Sequence, residues 1–168
     1  MPICTRFAAL ALLATAFVSS GGTPAAAADR PTAVTGVELP ADYRTWTAVA
    51  PSHRTDRGHI RLMLANEIMA KAYREKTLPF PDGSSIAKLI YKAVKSPEWE
   101  EAIVPGEALT VEIMIKDSRK FADSGGWGFG RFSAAHEPVG DAELYKTCFP
   151  CHDANVVDHD FVFTRWAR

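Results

Sequence analysis

The chain has 168 residues, of which 19 are basic and 20 acidic, so its formal net charge at pH 7 is −1. That balance excludes the strongly positive surface by which proteins bind nucleic acid or anionic lipid. The length suits a single domain preceded by a short leader.

The first 28 residues have the pattern of a secretory signal peptide. Arg6 supplies a positive charge, residues 7–18 form a short apolar run, and the alanines at 26–28 offer a cleavage site. The run is shorter than the about 20 residues that a transmembrane helix needs, and no later segment is apolar enough to span a membrane. We therefore expect residues 1–28 to be removed and residues 29–168 to form one exported, periplasmic domain with neither a membrane anchor nor a nucleic-acid partner.

The next part of the chain predicts short elements. Around residues 39–46 the pattern favours a short helix that places Tyr43 and Trp46 in the core. The polar residues 51–58 predict a loop, and the weak alternation over residues 59–65 predicts a strand.

A helix and a second strand follow. Asn66 has the character of an N-cap for a helix that runs to Lys76, with apolar residues at helical spacing. Residues 80–83 form a turn signature, and the β-branched and aromatic content of residues 84–94 favours a strand. Lys88 lies inside that strand, where a lysine ordinarily faces solvent.

The last third of the chain also favours strands. Residues 104–106 predict a turn, and residues 109–116 alternate with a clear period of two. The glycine-rich residues 125–132 predict another strand, in which the glycines fit either a bulky group that approaches the backbone closely or a tightly packed sheet. In residues 141–153 a short helix is expected before the paired cysteines, and residues 158–168 predict a closing strand.

The motif with the most specific chemistry is Cys148-Phe149-Pro150-Cys151-His152. Two cysteines separated by two residues and followed at once by histidine are typical of a c-type haem attachment site. Each thiol adds to one haem vinyl group, and the adjacent histidine becomes the proximal ligand of the iron. The sequence therefore predicts one covalent haem c per chain, bound through Cys148 and Cys151 and ligated by His152.

Two other uses of the cysteine pair stay open. A structural zinc site needs four ligands, and because Cys4 is expected to leave with the signal peptide, other histidines would have to complete it: His53, His59, His136 or His159. A thioredoxin-type dithiol needs a βαβ setting, which the pattern lacks.

The late position of the motif excludes an ordinary electron-transfer cytochrome c. Such a protein takes a methionine ligand from far downstream of its motif, whereas no methionine follows His152. Met63 and Met69 lie upstream, and we expect them in the core rather than on iron. The four-helix cytochromes c′ would show long heptad-like helices, but this chain shows short alternating segments, so we expect a mainly β architecture.

With these elements in place, the chain resembles the cytochrome P-460 family and the related cytochromes c′-beta. The resemblance runs from about Leu39 to Arg165 and rests on motifs in a fixed order: Leu39-Pro40 with Tyr43-Arg44 and Trp46, Phe80-Pro81-Asp82-Gly83 with Lys88, Lys116-Asp117-Ser118 with Phe121-Ala122, Gly126-Trp127, the haem motif, and Asp160-Phe161-Val162-Phe163-Thr164-Arg165.

The resemblance implies a mainly β, antiparallel fold with a few short helices and a haem c near the C-terminus, assembled as a homodimer. It also implies a five-coordinate iron with a proximal histidine and an open distal face that takes a small-molecule ligand or substrate. Some members of the family oxidise hydroxylamine, and others bind nitric oxide or carbon monoxide without turnover. A redox enzyme and a non-catalytic gas-binding or electron-transfer cytochrome therefore both stay open, with the redox partner unknown.

Two catalytic candidates come from the same resemblance. Lys88 falls where P-460 enzymes carry a lysine cross-linked to the haem edge. Glu143 falls where some of them place a distal carboxylate that accepts protons during oxidation. Each residue also has an ordinary alternative, which is a solvated position on a strand for Lys88 and on the helix before the motif for Glu143.

Overall fold

A computed structural model describes residues 30–167, which fold around one antiparallel sheet in the order β1-β2-β3-β4-β5. The strands are β1 (Thr47–Arg54), β2 (His59–Ala65), β3 (Ser85–Lys95), β4 (Ile103–Lys116) and β5 (Trp127–Ser133). The helices are α1 (Glu67–Glu75), α2 (Ala142–Lys146) and α3 (Cys148–Val156), with 3-10 turns at Tyr43–Thr45, Ala122–Ser124 and Val157–His159.

The expected mainly β fold with a few short helices is confirmed. The expected signal peptide lies outside the described residues, and within them no helix is long and apolar enough to cross a membrane.

Both faces of the sheet are covered, because successive side chains of a strand point to opposite faces. On one face α1 and the C-terminal segment pack against the strands, in a core that includes Met63, Met69, Ile86, Trp127 and Val162. On the other face the segment before β1 covers a second core, which includes Val37, Tyr43, Leu89, Ile113 and Phe132. Burying each such large side chain stabilises the folded state by about 1.5–3 kcal/mol. The two cores therefore bind the sheet to the segments that pack on its two faces.

Asn66 begins α1, as the sequence predicts, and also joins the helix to the sheet. Its side-chain oxygen accepts hydrogen bonds from the backbone N–H groups of Met69 (3.0 Å) and Ser85 (3.1 Å). Its amide donates to the carbonyl of Gly83 (2.8 Å). The helix ends at Lys76, which adopts a left-handed conformation with φ 55°, so α1 is fixed at both ends and against β3.

The predicted loop over residues 51–58 is wrong in its first half, because β1 continues through Pro51 to Arg54. Proline cannot donate to a ladder and is therefore confined to edge strands and bulges. Strand β1 is the edge of the sheet and pairs only with β2, so the missing N–H of Pro51 leaves the sheet intact.

The predicted turn over residues 104–106 is also wrong, because these residues belong to β4. Pro105 pairs with Ala93 of β3, whereas the pairing of β4 with β5 begins only at Thr110. The hairpin of β3 and β4 thus extends beyond β5, and Pro105 occupies a part of β4 that has a neighbour on one side only.

The glycines of β5 serve tight packing on the face away from α3. A Cβ atom added to Gly128 would lie 2.3 Å from the ring of Phe121, and one added to Gly130 would lie 2.9 Å from Val37. Contacts this short leave no room for a side chain. Of the two explanations that the sequence leaves open, the tightly packed sheet accounts for Gly128, whereas Gly130 also borders the cavity described below.

The predicted closing strand over residues 158–168 is wrong. The described part of this segment begins with the end of a 3-10 turn and continues as irregular chain that belongs to no strand. Asp160 and Phe161 both adopt positive φ angles, 50° and 64°, which turn the chain before it can pair. Its later part touches the sheet edge by one backbone hydrogen bond, from Ala167 to Val49 (3.0 Å).

Candidate functional site

Helix α3 places the three residues of the haem motif on one face. Cys148, Cys151 and His152 are spaced i, i+3 and i+4, and side chains at this spacing are neighbours on a helix surface. Pro150 fits because it lies in the first turn, where a backbone N–H has no partner within the helix. Cys148 is partly buried and Cys151 is exposed, and both thiols are free.

The imidazole of His152 is held in one tautomer. Its Nδ1 lies 2.6 Å from the carbonyl oxygen of Phe161, and because a carbonyl only accepts, Nδ1 carries the proton. Burial lowers the pKa of His152 and outweighs the opposing effect of that hydrogen bond. The ring is therefore neutral with an unprotonated Nε2, which is the form that binds a metal. The rings of Phe129 and Phe163 pack edge-on against it, with centroids 5.0 and 4.9 Å away.

The carbonyl that orients His152 is presented by a strained turn. For a bulky residue a φ of 64°, as in Phe161, is a genuine outlier, and each such residue costs on the order of 1–3 kcal/mol unless its surroundings hold it. Here the preceding Asp160 holds the turn. Its carboxylate accepts from the Nζ of Lys116 (2.7 Å) and from the backbone N–H of Phe80 (2.9 Å).

Beside the motif face of α3 lies a cavity of about 590 Å³, which is in the range of small-molecule and cofactor sites, roughly 300–1,000 Å³. Side chains from all five strands, from α2 and α3 and from residues 162–164 form its wall. Cys148, Cys151 and His152 are among them, and Lys88 faces the cavity from the sheet.

Three charged residues form a row across the sheet on the cavity wall. Lys88 on β3 is paired in register with Glu112 on β4, which is paired in turn with Arg131 on β5. Glu112 makes a salt bridge with Lys88 and another with Arg131, whose Nη2 lies 2.8 Å from its Oε1. One largely buried carboxylate therefore serves two cations.

This arrangement keeps Glu112 ionised. Burial by itself raises the pKa of the Glu112 carboxyl, but the charges and hydrogen bonds of Lys88 and Arg131 outweigh it and hold this pKa below its ordinary value. A carboxylate held in this way is a weak proton acceptor. It also holds the ammonium of Lys88, whose side chain is 32% exposed.

The structure brings four of the five predicted site residues together and leaves one apart. Lys88, Cys148, Cys151 and His152 line the same cavity. Glu143 lies on α2 with its side chain 76% exposed, where its carboxylate pairs with the Nζ of Lys146 at 2.6 Å, and it is not part of the cavity wall. Its role as a distal carboxylate stays a prediction.

Glu112 and Arg131 were missed by the sequence analysis. Glu112 belongs to the alternating run of residues 109–116, where it reads as an ordinary solvent-facing position. The available signal was its charge opposite to that of Lys88, which becomes informative only once the register between the two strands is known. Arg131 was missed for the same reason, because its charge opposite to that of Glu112 becomes informative only once the register between β4 and β5 is known.

The alternative uses of the cysteine pair find no support in the described part of the chain. Within residues 30–167 no three His, Cys, Asp or Glu side chains are grouped so that they could hold a metal ion, as a zinc site would require.

Met63 and Met69 are both buried in the core, at 8% and 0% exposure, as expected. Of the two, Met63 also borders the cavity.

The residues present fit a haem of the c type. Two free thiols and an unprotonated histidine nitrogen share one helix face beside a cavity of cofactor size. The cavity wall also holds an unsatisfied donor, because the Nε of Arg61 is buried there without a hydrogen-bond partner. An anionic group is the partner that such a guanidinium requires.

Comparison with known proteins agrees with this chemistry. The sequence model of the family described as cytochrome P460 matches residues 40–164. The matched segment contains the whole sheet, the haem motif and every residue of the cavity wall. Among curated proteins, no match to the chain was found.

Proposed function

Because the chain belongs to the cytochrome P460 family, we propose that it is an exported c-type cytochrome that binds small nitrogen species, such as hydroxylamine or nitric oxide, at an open iron position. The family makes it a haem protein. The finer proposal is carried by one observation, which is that Cys148, Cys151 and His152 line a single cavity beside a charged sheet face.

Three residues of α3 would hold the haem. The thiols of Cys148 and Cys151 would form the two thioether bonds, and the Nε2 of His152 would bind the iron, since the Phe161 carbonyl at the other ring nitrogen keeps Nε2 unprotonated. When bound, haem supplies an iron that takes small ligands and exchanges electrons with them. The protein fixes the direction of the ligand nitrogen through the hydrogen bond of Nδ1.

The composition of the cavity wall supports an open second position on the iron. Among the described residues of that wall His152 is the only histidine, and the methionines there, Met63 and Met114, are packed into the core. A single protein ligand leaves room for hydroxylamine, nitric oxide or carbon monoxide.

Oxidation of hydroxylamine requires more from the chain than binding does. It releases protons, which need an acceptor at the site, and electrons, which the haem iron would take up and pass to an external redox protein. Glu143 is the proposed acceptor, and since its side chain is exposed and paired with Lys146 here, this role requires α2 to rotate so that Glu143 faces the cavity. Lys88 is the proposed cross-linking residue, and its amine is a nucleophile only after it has lost its proton and left Glu112.

Gas binding or electron transfer without turnover is the second candidate function, and a specific observation favours it. Lys88 is engaged by the ionised Glu112, and a lysine in a salt bridge is an ammonium with no lone pair to form a bond. In this case Lys88 stays a charged wall residue, and the iron site binds nitric oxide or carbon monoxide reversibly.

Two measurements on the purified protein test the proposal. Acid–acetone extraction followed by intact mass determination is expected to leave haem on the polypeptide, whereas the Cys148→Ala/Cys151→Ala double variant releases it. The ferrous protein is expected to show a high-spin spectrum that changes on addition of carbon monoxide or nitric oxide. Extractable haem in the unaltered protein, or a low-spin spectrum that neither gas changes, contradicts the proposal.

Export and dimerisation belong to the same proposal. We expect the mature protein to begin at residue 29 in the periplasmic fraction, and light scattering to give the mass of a homodimer. A full-length chain in the cytoplasmic fraction would contradict the first expectation, and a monomer mass at every concentration would contradict the second.

A further inference from the structure

Arg61 is the one cation of the cavity wall without a partner among the described residues. It lies on β2, and its Nε is buried with no hydrogen bond. It also makes no salt bridge within residues 30–167, whereas the other three cations of the wall do so. A buried donor left unsatisfied costs about 1–3 kcal/mol, and more where the group is charged, so its presence calls for an explanation.

The charges around the cavity do not balance. Arg54 is neutralised by Asp56, which it contacts at 2.5 Å, and Lys88 and Arg131 share the single carboxylate of Glu112. Arg61 therefore adds one positive charge to the wall, and the shared carboxylate leaves another. Burial, together with the charge of Arg54, lowers the pKa of Arg61, so the charge of Arg61 is destabilised in this structure and would gain from an anion.

The position of Arg61 matches the shape of the proposed cofactor. The thiols of α3 stand at the β5 side of the cavity, where Phe129 packs against His152 and the backbone N–H of Arg131 donates to Tyr145 of α2. Arg61 stands on β2, three strands away, which is roughly 14 Å at about 4.8 Å between neighbouring strands. In a haem, the vinyl groups that the thiols attack and the two propionates lie at opposite edges of the macrocycle.

We propose that Arg61 binds a haem propionate, with the hydroxyl of Ser52 beside it as a second donor. Ser52 lies directly opposite Arg61 in the β1–β2 register and also borders the cavity. A planar guanidinium matches a carboxylate with two parallel hydrogen bonds. The inference rests on the proposed c-type attachment, which fixes the vinyl edge of the haem at α3. It adds that the opposite edge, which carries the propionates, points towards Arg61 on β2.

The potential of the haem iron reports this contact. Ferric haem carries one positive charge more than ferrous haem, so a propionate whose charge is uncovered stabilises the ferric form. Arg61→Gln is expected to lower the midpoint potential and to shift the propionate bending bands in the resonance Raman spectrum. Arg61→Lys, which keeps the charge, is expected to restore most of the potential but not the bending bands.

Arg57→Ala is the matched control. It removes the same charge four residues earlier, from a side chain that is 68% exposed and outside the cavity wall, where solvent and salt screen its effect. A potential that falls as far in Arg57→Ala as in Arg61→Gln, with the bending bands unchanged in both, overturns the inference.

Two further observations separate the possible failures. If unaltered protein carries no covalent haem, the proposed function has failed. If haem is attached and a crystal structure of the haem-loaded protein places no propionate oxygen within hydrogen-bond distance of the Arg61 guanidinium, the inference alone has failed. The structural measurement needs no variant, so it decides the question even where Arg61→Gln does not fold.

Discussion

Lys116 and Asp160 form an ion pair that is closed off from solvent, with the Nζ of Lys116 2.7 Å from the Oδ1 of Asp160 and both side chains 8% exposed. The pair joins the end of β4 to the turn that follows α3. The second carboxylate oxygen of Asp160 accepts from the backbone of Phe80, and Asp82 accepts two bonds from Ser118. Three motif segments that are far apart in the sequence thus meet at the turn that follows α3.

We expect this ion pair to control the stability of the C-terminal segment. Removing one partner of a buried pair leaves an uncompensated charge, so Asp160→Asn is expected to lower the free energy of unfolding by about 3–5 kcal/mol in urea titrations. The control is Lys92→Ala, which breaks the exposed pair with Glu107 (side chains 56% and 67% exposed) and is expected to change the free energy of unfolding little, because solvent screens such a pair. Equal losses in the two variants would show that the buried pair has no special role.

Gly125 is expected not to tolerate a side chain for two reasons, its left-handed backbone conformation and the packing of Phe161 against it. Gly125 and Gly58 both adopt left-handed φ angles, 63° and 60°, in which an added Cβ costs roughly 1–2 kcal/mol. Only at Gly125 would that Cβ also meet an obstacle, the ring of Phe161 at 2.4 Å, whereas nothing lies within 4 Å at Gly58.

Gly125→Ala is therefore expected to lose about 1–3 kcal/mol more than Gly58→Ala in the same unfolding titration, because the site is overpacked. Since Phe161 also supplies the carbonyl that orients His152, the ligand spectrum of Gly125→Ala is expected to change as well. A Gly125→Ala protein that matches Gly58→Ala in both measurements contradicts the idea that this turn is held by packing.

The elements that could be predicted from sequence are those whose signals are local. The bounds of β2 and the N-cap of α1 at Asn66 follow from alternation and capping, and both are confirmed. The strands through Pro51 and Pro105 could not be predicted, because a proline is tolerated there only through the absence of a neighbouring strand, and strand order is not a local property. The two positive φ angles at Asp160 and Phe161 depend on contacts with Lys116 and Phe80, which are distant in the sequence. They could not be predicted from local sequence patterns either.

The candidate site divides in the same way. The haem motif is a contiguous pattern, so Cys148, Cys151 and His152 could be proposed from the sequence as site residues, and the structure brings them to one cavity. The partners of Lys88 could not, because Glu112 and Arg131 join it only through the register of three strands. The unsatisfied Nε of Arg61 is a property of the folded cavity and leaves no trace in composition or spacing.

The pH dependence of stability is expected to report the state of Glu112. The folded-state pKa of this carboxyl lies below its ordinary value of 4.5, so its contribution to stability is fully present above that value and is lost as the pH falls through the folded pKa. The difference in unfolding free energy between unaltered protein and Glu112→Gln is therefore expected to be constant from pH 7 to about 4.5 and to shrink at lower pH.

Glu107→Gln gives the comparison for Glu112, because the pKa of Glu107 is also lowered, by the hydrogen bond and charge of Lys92 at the surface. An exposed pair is screened by salt and a largely buried one much less. In 1 M salt, where the Debye length is about 3 Å, we expect the Glu107→Gln effect to vanish and the Glu112→Gln effect to persist. A Glu112→Gln effect that also vanishes would place this carboxylate in solvent.

Met63 provides a test of the open iron position. It packs in the core and borders the cavity, and it lies opposite Lys88 in the β2–β3 register. We expect Met63→Leu, which nearly conserves volume and costs less than about 1.5 kcal/mol, to leave the optical spectrum of both oxidation states unchanged. Loss of a methionine–iron charge-transfer band in this variant would make Met63 a sixth ligand and would contradict a five-coordinate iron.

Lys88 decides between the enzyme and the gas-binding cytochrome, and two substitutions separate its possible roles. Lys88→Ala removes both the amine and the ion pair with Glu112, whereas Lys88→Arg keeps the charge next to Glu112 but offers a guanidinium that stays protonated. If Lys88 is cross-linked to the haem, we expect the unaltered protein to have a strongly red-shifted ferrous Soret band and a tryptic haem peptide joined to the Lys88 segment. Both substitutions are then expected to abolish these features together with hydroxylamine oxidation. If instead the unaltered protein and Lys88→Arg share one spectrum and neither yields a joined peptide, Lys88 serves only as the partner of Glu112 and the protein binds gas without turnover.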